Sequence, residues 1–145
     1  MQQEKESLAR LQLAALPSAP WWATRYATDV LRRWELSSLD EVVIAVVSEM
    51  VGYAATSRPD GRDVRYAGMR GLRRIVLTLR RTAAGLGITV WCRGMPVPYP
   101  QVDVLTGRRA PALPRVDAYG ARWGFVEPPC GGLTVWAELT CREIT

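Results

Sequence analysis

The spacing of apolar residues along the chain changes twice. Between Pro20 and Glu35, Trp22, Tyr26, Val30 and Trp34 recur every fourth position, which traces one face of an α-helix over about residues 19–34. Ser18 is placed to cap this helix, and Pro20 falls in its first turn, where a missing N–H costs little. Ser38 and Glu41 then have the spacing of a capping box, and Val42, Val43, Val46, Val47, Met50, Val51 and Ala54 follow them. With apolar residues around most of its girth, this second helix is expected at the centre of the fold. From Leu72 the period becomes two. Ile75, Leu77 and Leu79 alternate with Arg74, Val76, Thr78 and Arg80, and Ala84-Gly85 turns the chain into Leu86, Ile88 and Val90. That is the pattern of an antiparallel hairpin.

The segments between and beyond these are less regular. Residues 1–16 mix charged positions with Leu8, Leu11, Leu13 and Leu16 and carry no cap, so they read as a flexible N-terminal arm before a single domain over 17–145. Residues 58–71, RPDGRDVRYAGMRG, read as a loop. The stretch 93–115 holds five prolines and no periodicity, and irregular segments of that length inside a domain are usually functional or mobile. Val116 to Trp123 is a short helix candidate, and Gly124–Glu127 and Leu133–Cys141 flank PPCGG as a second hairpin. Locally paired strands with helices packed on one face predict an α+β, two-layer sandwich with a mostly antiparallel sheet.

Composition narrows the chemistry. The 145 residues are 48% hydrophobic and 23% charged, enough for one core. There is no histidine, which removes the commonest general base and any Ser/His or Cys/His pair. Cys92, Cys130 and Cys141 lack C-x-x-C spacing and read as free thiols, so no metal site is expected. No apolar run approaches the roughly 20 residues of a membrane span, and MQQEKES resembles no signal peptide, so a cytoplasmic protein away from the membrane is expected. The net charge of +5 is carried by arginine, Lys5 being the only lysine. Such a surface suits an acidic protein or a nucleic acid, although solvated arginines would give the same composition.

Two stretches carry a resemblance. VVSEMVGYA (46–54) resembles the V-V-S-E-L-V-T-N-A of the anti-sigma-factor serine kinases, a branch of the GHKL (histidine kinase/Hsp90-like, or Bergerat) ATPase fold that includes small actinobacterial ATP-binding regulators. VDAYGARWGF…GGLTVWAEL (116–139) resembles that family's V-D-A-L-A-D-R-W-G followed by G-K-T-V-W-A-E-L. The likeness in pattern runs over about residues 17–140.

It implies three nucleotide-binding places, and the chain departs at each. In ATP-binding members the helix Glu is a general base and the Asn four residues on ligates Mg²⁺. Here Glu49 stands, but Tyr53 takes the Asn position, and a phenol is a poor ligand for that ion. An Asp at the end of the hairpin strand accepts the adenine amino group; here the position reads Cys92, or Arg93 with a register shift of one, before Gly94. A Gly-rich lid wraps the phosphates with backbone amides leading into a helix. Its counterpart is Gly107-Arg108-Arg109-Ala110-Pro111, in which Pro111 and Pro114 interrupt the turn where the helix should open.

The resemblance therefore implies a regulatory binding protein with Glu49 as a vestigial catalytic residue, expected to take no cofactor. Its partner would be a sigma factor, an anti-anti-sigma protein or a helix-turn-helix transcriptional regulator, with homodimerisation through the first helix and the sheet edge a further expectation. The alternative is an active kinase using Glu49, ATP and magnesium. A third reading, direct nucleic-acid binding through Arg73, Arg74, Arg80 and Arg81, ranks last because strand arginines split between two faces. Trp34, Trp91, Trp123 and Trp136 fall at family core positions. Trp21 and Trp22 are adjacent and cannot both face inward, so one is an expected interface anchor.

Overall fold

In the computed structural model, which describes residues 7–56, 73–102, 105–107 and 109–140, the alternating segments form a five-stranded sheet. Its strands are β1 (Leu8–Ala14), β2 (Arg74–Arg81), β3 (Gly85–Cys92), β6 (Arg122–Val126) and β7 (Leu133–Thr140), in the order β1-β2-β3-β7-β6. Every neighbouring pair is antiparallel. The two-residue strands β4 (Gln101–Val102) and β5 (Arg109–Ala110) pair with each other apart from it. Among the described residues, three α-helices, α1 (Ala19–Arg33), α2 (Asp40–Thr56) and α3 (Pro114–Ala118), and a 3₁₀ turn at Ser37–Leu39 stand beside the sheet. The architecture is a mixed α+β fold with an open antiparallel sheet.

Period-two patterning decides which face of the sheet is covered. Leu79, Ile88 and Ala137 are opposite one another on three neighbouring strands, as are Leu77, Val90 and Val135, and all six are buried. They pack against Val43, Val46, Val47, Met50, Val51 and Ala54 of α2, which is nearly as apolar as expected, only Ile44 standing markedly exposed. The expected hairpin is β2–β3, and Gly85 permits its close approach to β7, since a Cβ there would run into the Leu139 carbonyl.

The buried stripe of α1 lies to one side of the predicted face. Ala19, Ala23, Ala27, Val30, Leu31 and Trp34 point inward, while Trp22 lies outside and Tyr26 at the margin. Small alanines let α1 approach α2, and Pro20 packs near Gly52; four-residue spacing of the bulkier aromatics had marked the adjoining face. The helix ends in a Schellman motif: Leu36 donates to the Leu31 carbonyl at 2.7 Å and Glu35 to Arg32 at 3.1 Å. Glu35 takes the left-handed position with φ 60°.

Three expectations need correction. Residues 8–14 are an edge strand and no flexible arm, because Ala9, Leu11 and Leu13 alternate toward the core opposite Leu79, Leu77 and Ile75. The helix expected over Val116–Trp123 starts earlier and ends at Ala118. Gly120 (φ 70°) reverses the chain there, and Arg122 to Val126 become β6. Ser18 makes no side-chain cap; its carbonyl accepts the Trp21 and Trp22 amides instead. The loop expected at 58–71 lies outside the described residues.

At the outer edge, Arg81 N–H to Ser7 and Ala15 N–H to Arg73 bracket the β1–β2 ladder. Odd-numbered residues of β1 therefore bond to β2, and even-numbered ones turn their backbone groups away. The Tyr26 hydroxyl donates to one of these, the Arg10 carbonyl, at 3.1 Å.

Candidate functional site: the Glu49 clasp

Glu49 leaves the late half of α2 between two core contacts, Val47 and Met50, and its carboxylate meets the start of α3. The Arg115 amide donates to Oε2 at 3.0 Å and the Val116 amide to Oε1 at 2.9 Å. The first turn of α3 is fully accounted for. Pro114 has no N–H, Arg115 and Val116 give theirs to Glu49, and Asp117 donates to Leu113 at 3.0 Å. Pro114 thus opens the helix as its first residue, where sequence reading had it interrupting the turn. The carboxylate serves as a cap supplied by another helix, and buried Leu113 and Val116 hold α3 against α2.

Tyr53, one turn further along α2, donates its hydroxyl to the Pro96 carbonyl at 2.7 Å. The ring is half-buried against the core, and burial pushes the phenol pKa above its ordinary 10.0. Glu49 and Tyr53 therefore tie α2 to the two ends of the proline-rich segment, at Pro96 and at Arg115.

At the end of β3, Cys92 is buried and its sulfur takes a 3.5 Å contact from the Arg73 guanidinium. Burial raises the thiol pKa above 9.0, and the charge and hydrogen bond of Arg73 oppose that rise in part. Arg73 also donates to the Ala54 carbonyl at 3.2 Å and the Arg93 carbonyl at 3.4 Å, so it joins the end of α2 to the end of β3. Arg93 turns away and donates to the Cys130 carbonyl at 3.3 Å, beside Gly131. The Trp91 indole donates to the Gly131 carbonyl at 2.9 Å and packs on Gly132, whose φ of 77° and lack of Cβ both suit the turn. Gly94 turns the chain with φ 78° after Arg93. Cys92 and Cys130 are free thiols; Cys141 lies outside the described residues.

The remaining expected positions are scattered. Gly107 is exposed with φ 69°, and a Cβ there would meet no described atom within 4 Å. Arg108 is outside the described residues, and the Arg109 backbone pairs with Val102 in the β4–β5 ladder. Both Trp21 and Trp22 are exposed, at 53% and 55%, where one was expected to turn inward. Their rings meet edge to face at 4.7 Å, and the Arg25 guanidinium lies 4.8 Å above Trp21. Beside them a groove of about 610 Å³ runs between α1 and β1, walled by Leu11, Leu13, Trp22 and Arg25.

Sequence reading missed what Arg73 and the Arg115 and Val116 amides do. The amides belong to the backbone and leave no residue signature; Pro114 at a first helical position was the available hint. Among the described residues, no group of three or more Cys, Asp or Glu is placed to hold a metal, and no helix is long and apolar enough to cross a membrane. Compared with protein-family models and with curated proteins, the chain matches none of either.

Proposed function

We propose that this chain is a regulatory protein-binding domain of the GHKL type, related to the anti-sigma-factor kinases, whose nucleotide pocket is closed by its own side chains. The observation that carries the reading is the Glu49 carboxylate seated on the Arg115 and Val116 amides. In the family that the sequence resembles, amides leading into the lid helix face the phosphates. On that reading the Arg115 and Val116 amides, which open α3, are already occupied by Glu49.

The neighbouring groups favour the same reading. Glu49 and Tyr53 do not fit a magnesium ion, which needs several compact oxygen donors in octahedral order. Both Glu49 oxygens accept amides, and the Tyr53 hydroxyl is given to Pro96. Cys92 offers a buried thiol where adenine would require a carboxylate. For partner binding, Trp21, Trp22 and Arg25 form an exposed cluster of the residue types that anchor protein interfaces, and the partner proposed is a sigma factor, an anti-anti-sigma protein or a helix-turn-helix regulator.

Titration calorimetry with ATP and Mg²⁺ tests the reading. The expected result is no saturable heat and no rise in melting temperature. A true nucleotide binder would gain about 2.7 kcal/mol of stability at a hundredfold excess over Kd. Saturable binding, or transfer of labelled phosphate to a partner abolished by Glu49→Gln, would overturn it in favour of an active kinase.

A further inference from the structure

The helices cover one face of the sheet and leave the other as its outer face. That outer face carries Arg10 from β1, Arg74, Thr78 and Arg80 from β2, Thr89 and Trp91 from β3, and Trp136 from β7. Sequence reading ranked the arginines of the β2–β3 hairpin low because a strand divides them between faces. The division leaves Arg74 and Arg80 on the face that holds the two tryptophans, while Arg81 turns to the Trp34 carbonyl and Arg73 to the end of α2.

Both indoles pack against glycines of the β6–β7 hairpin. A Cβ at Gly124 would stand 2.7 Å from Trp136 Cζ2, and one at Gly132 would stand 2.6 Å from Trp91 Nε1. Each indole is partly exposed, Trp91 with the Arg74 guanidinium over its ring. Trp91 is opposite Thr134 and Trp136 is opposite Thr89, so the rings stand on adjacent strands one diagonal step apart, about 7–8 Å between backbones. Beside Trp136 a trough of about 550 Å³ opens over Gly87, walled by Thr78, Arg80, Thr89, Trp136 and Glu138. Arg74 stands 5.9 Å from the Trp91 ring centre. Glu138 is the one carboxylate among the described strand residues of this face, and Arg122 lies 3.7 Å from it.

We propose that this outer face binds single-stranded nucleic acid, with bases stacked on Trp136 and Trp91 and the phosphate backbone held by Arg10, Arg74 and Arg80. Flat aromatic faces accept any base, and arginines on the two adjacent strands β1 and β2 can hold phosphates beside them. The net charge of +5 on the whole chain works in the same direction. A duplex offers its bases edge-on inside grooves and cannot stack on a flat wall, so single strands are the ligand the shape selects. This inference is independent of whether the chain binds ATP.

The test is fluorescence anisotropy of labelled oligothymidylate and oligouridylate of about twelve nucleotides, with the full-length protein. Binding is expected at about 50 mM salt, with a log–log salt slope near −2 for three phosphate contacts. Trp136→Ala should weaken it about tenfold or more, Trp136→Phe should restore most of it, and Arg74→Gln or Arg80→Gln should each flatten the slope by about 0.7. Arg32→Gln, on the exposed side of α1, should change neither. The two exposed arginine variants decide the matter if Trp136→Ala does not fold. Four results would overturn the proposal: no binding at low salt, a duplex bound as tightly as the single strand, Arg32→Gln as damaging as Arg80→Gln, or polyglutamate competing as well as the oligonucleotide, which would make the face a site for acidic proteins.

Discussion

Glu49 and Val116 stand 67 positions apart in the chain, and the carboxylate of one accepts the backbone N–H of the other at 2.9 Å. The same carboxylate takes the Arg115 amide with its second oxygen, so two charge-assisted bonds fasten α3 to α2. Glu49→Ala should destabilise the fold by about 1–2 kcal/mol, the usual cost of losing a helix cap, and Glu49→Gln by less, because one oxygen remains. Urea unfolding measures the difference. Hydrogen exchange gives the local version: the Arg115 and Val116 amides should lose protection in Glu49→Ala while the β3 amides keep theirs. Unchanged protection at both sites would mean that the clasp contributes nothing.

Tyr53→Phe removes the donor to Pro96 and leaves the ring. A loss of about 1 kcal/mol is expected, typical for one buried hydrogen bond to a backbone carbonyl.

Glu35 holds a left-handed conformation at the C-terminus of α1, where glycine is the usual occupant. Glu35→Gly should therefore stabilise the protein by about 1 kcal/mol, raising the melting temperature by about 4 °C. Glu35→Val should do the opposite. A scan of the three proteins side by side reads both signs at once.

The two strand glycines of β3 separate a tight contact from an open one. A Cβ on Gly85 collides with the Leu139 backbone, whereas on Gly87 its nearest neighbour is 3.8 Å away. Gly85→Ala should cost about 1–3 kcal/mol and Gly87→Ala little or nothing. Equal effects would contradict the β3–β7 register.

Alkaline stability follows from Cys92 and Tyr53. Burial raises both above their ordinary values of 9.0 and 10.0, so the unfolded chain gives up these protons at lower pH than the folded one. Their contribution is complete below about pH 9 and declines as pH climbs through the raised folded values. Urea midpoints from pH 8 to 11 should fall, and the fall should be shallower in Cys92→Ala and in Tyr53→Phe.

What could be read from the sequence depended on how far apart the interacting groups lie. The β2–β3 hairpin and α2 were legible because alternation in one and girdling valines in the other are local signals. β1 was missed because its three inward residues, Ala9, Leu11 and Leu13, make too short a pattern, and its partner strand lies some sixty residues on. The burial stripe of α1 was displaced because alanine carries little weight in a hydrophobicity count yet decides how closely two helices approach. At the candidate site, Glu49 and Tyr53 were identifiable by position, but what they touch was not. Their partners are backbone atoms of the proline-rich segment, and nothing in residue identity announces which carbonyl or amide will be near.

The Tyr26 hydroxyl on the Arg10 carbonyl bears on how the protein lives in concentrated solution. An exposed outermost strand invites another chain to zip onto it, and repeated zipping ends in fibres. By engaging one of the acceptors such a newcomer would need, this single phenol blunts the template at its middle.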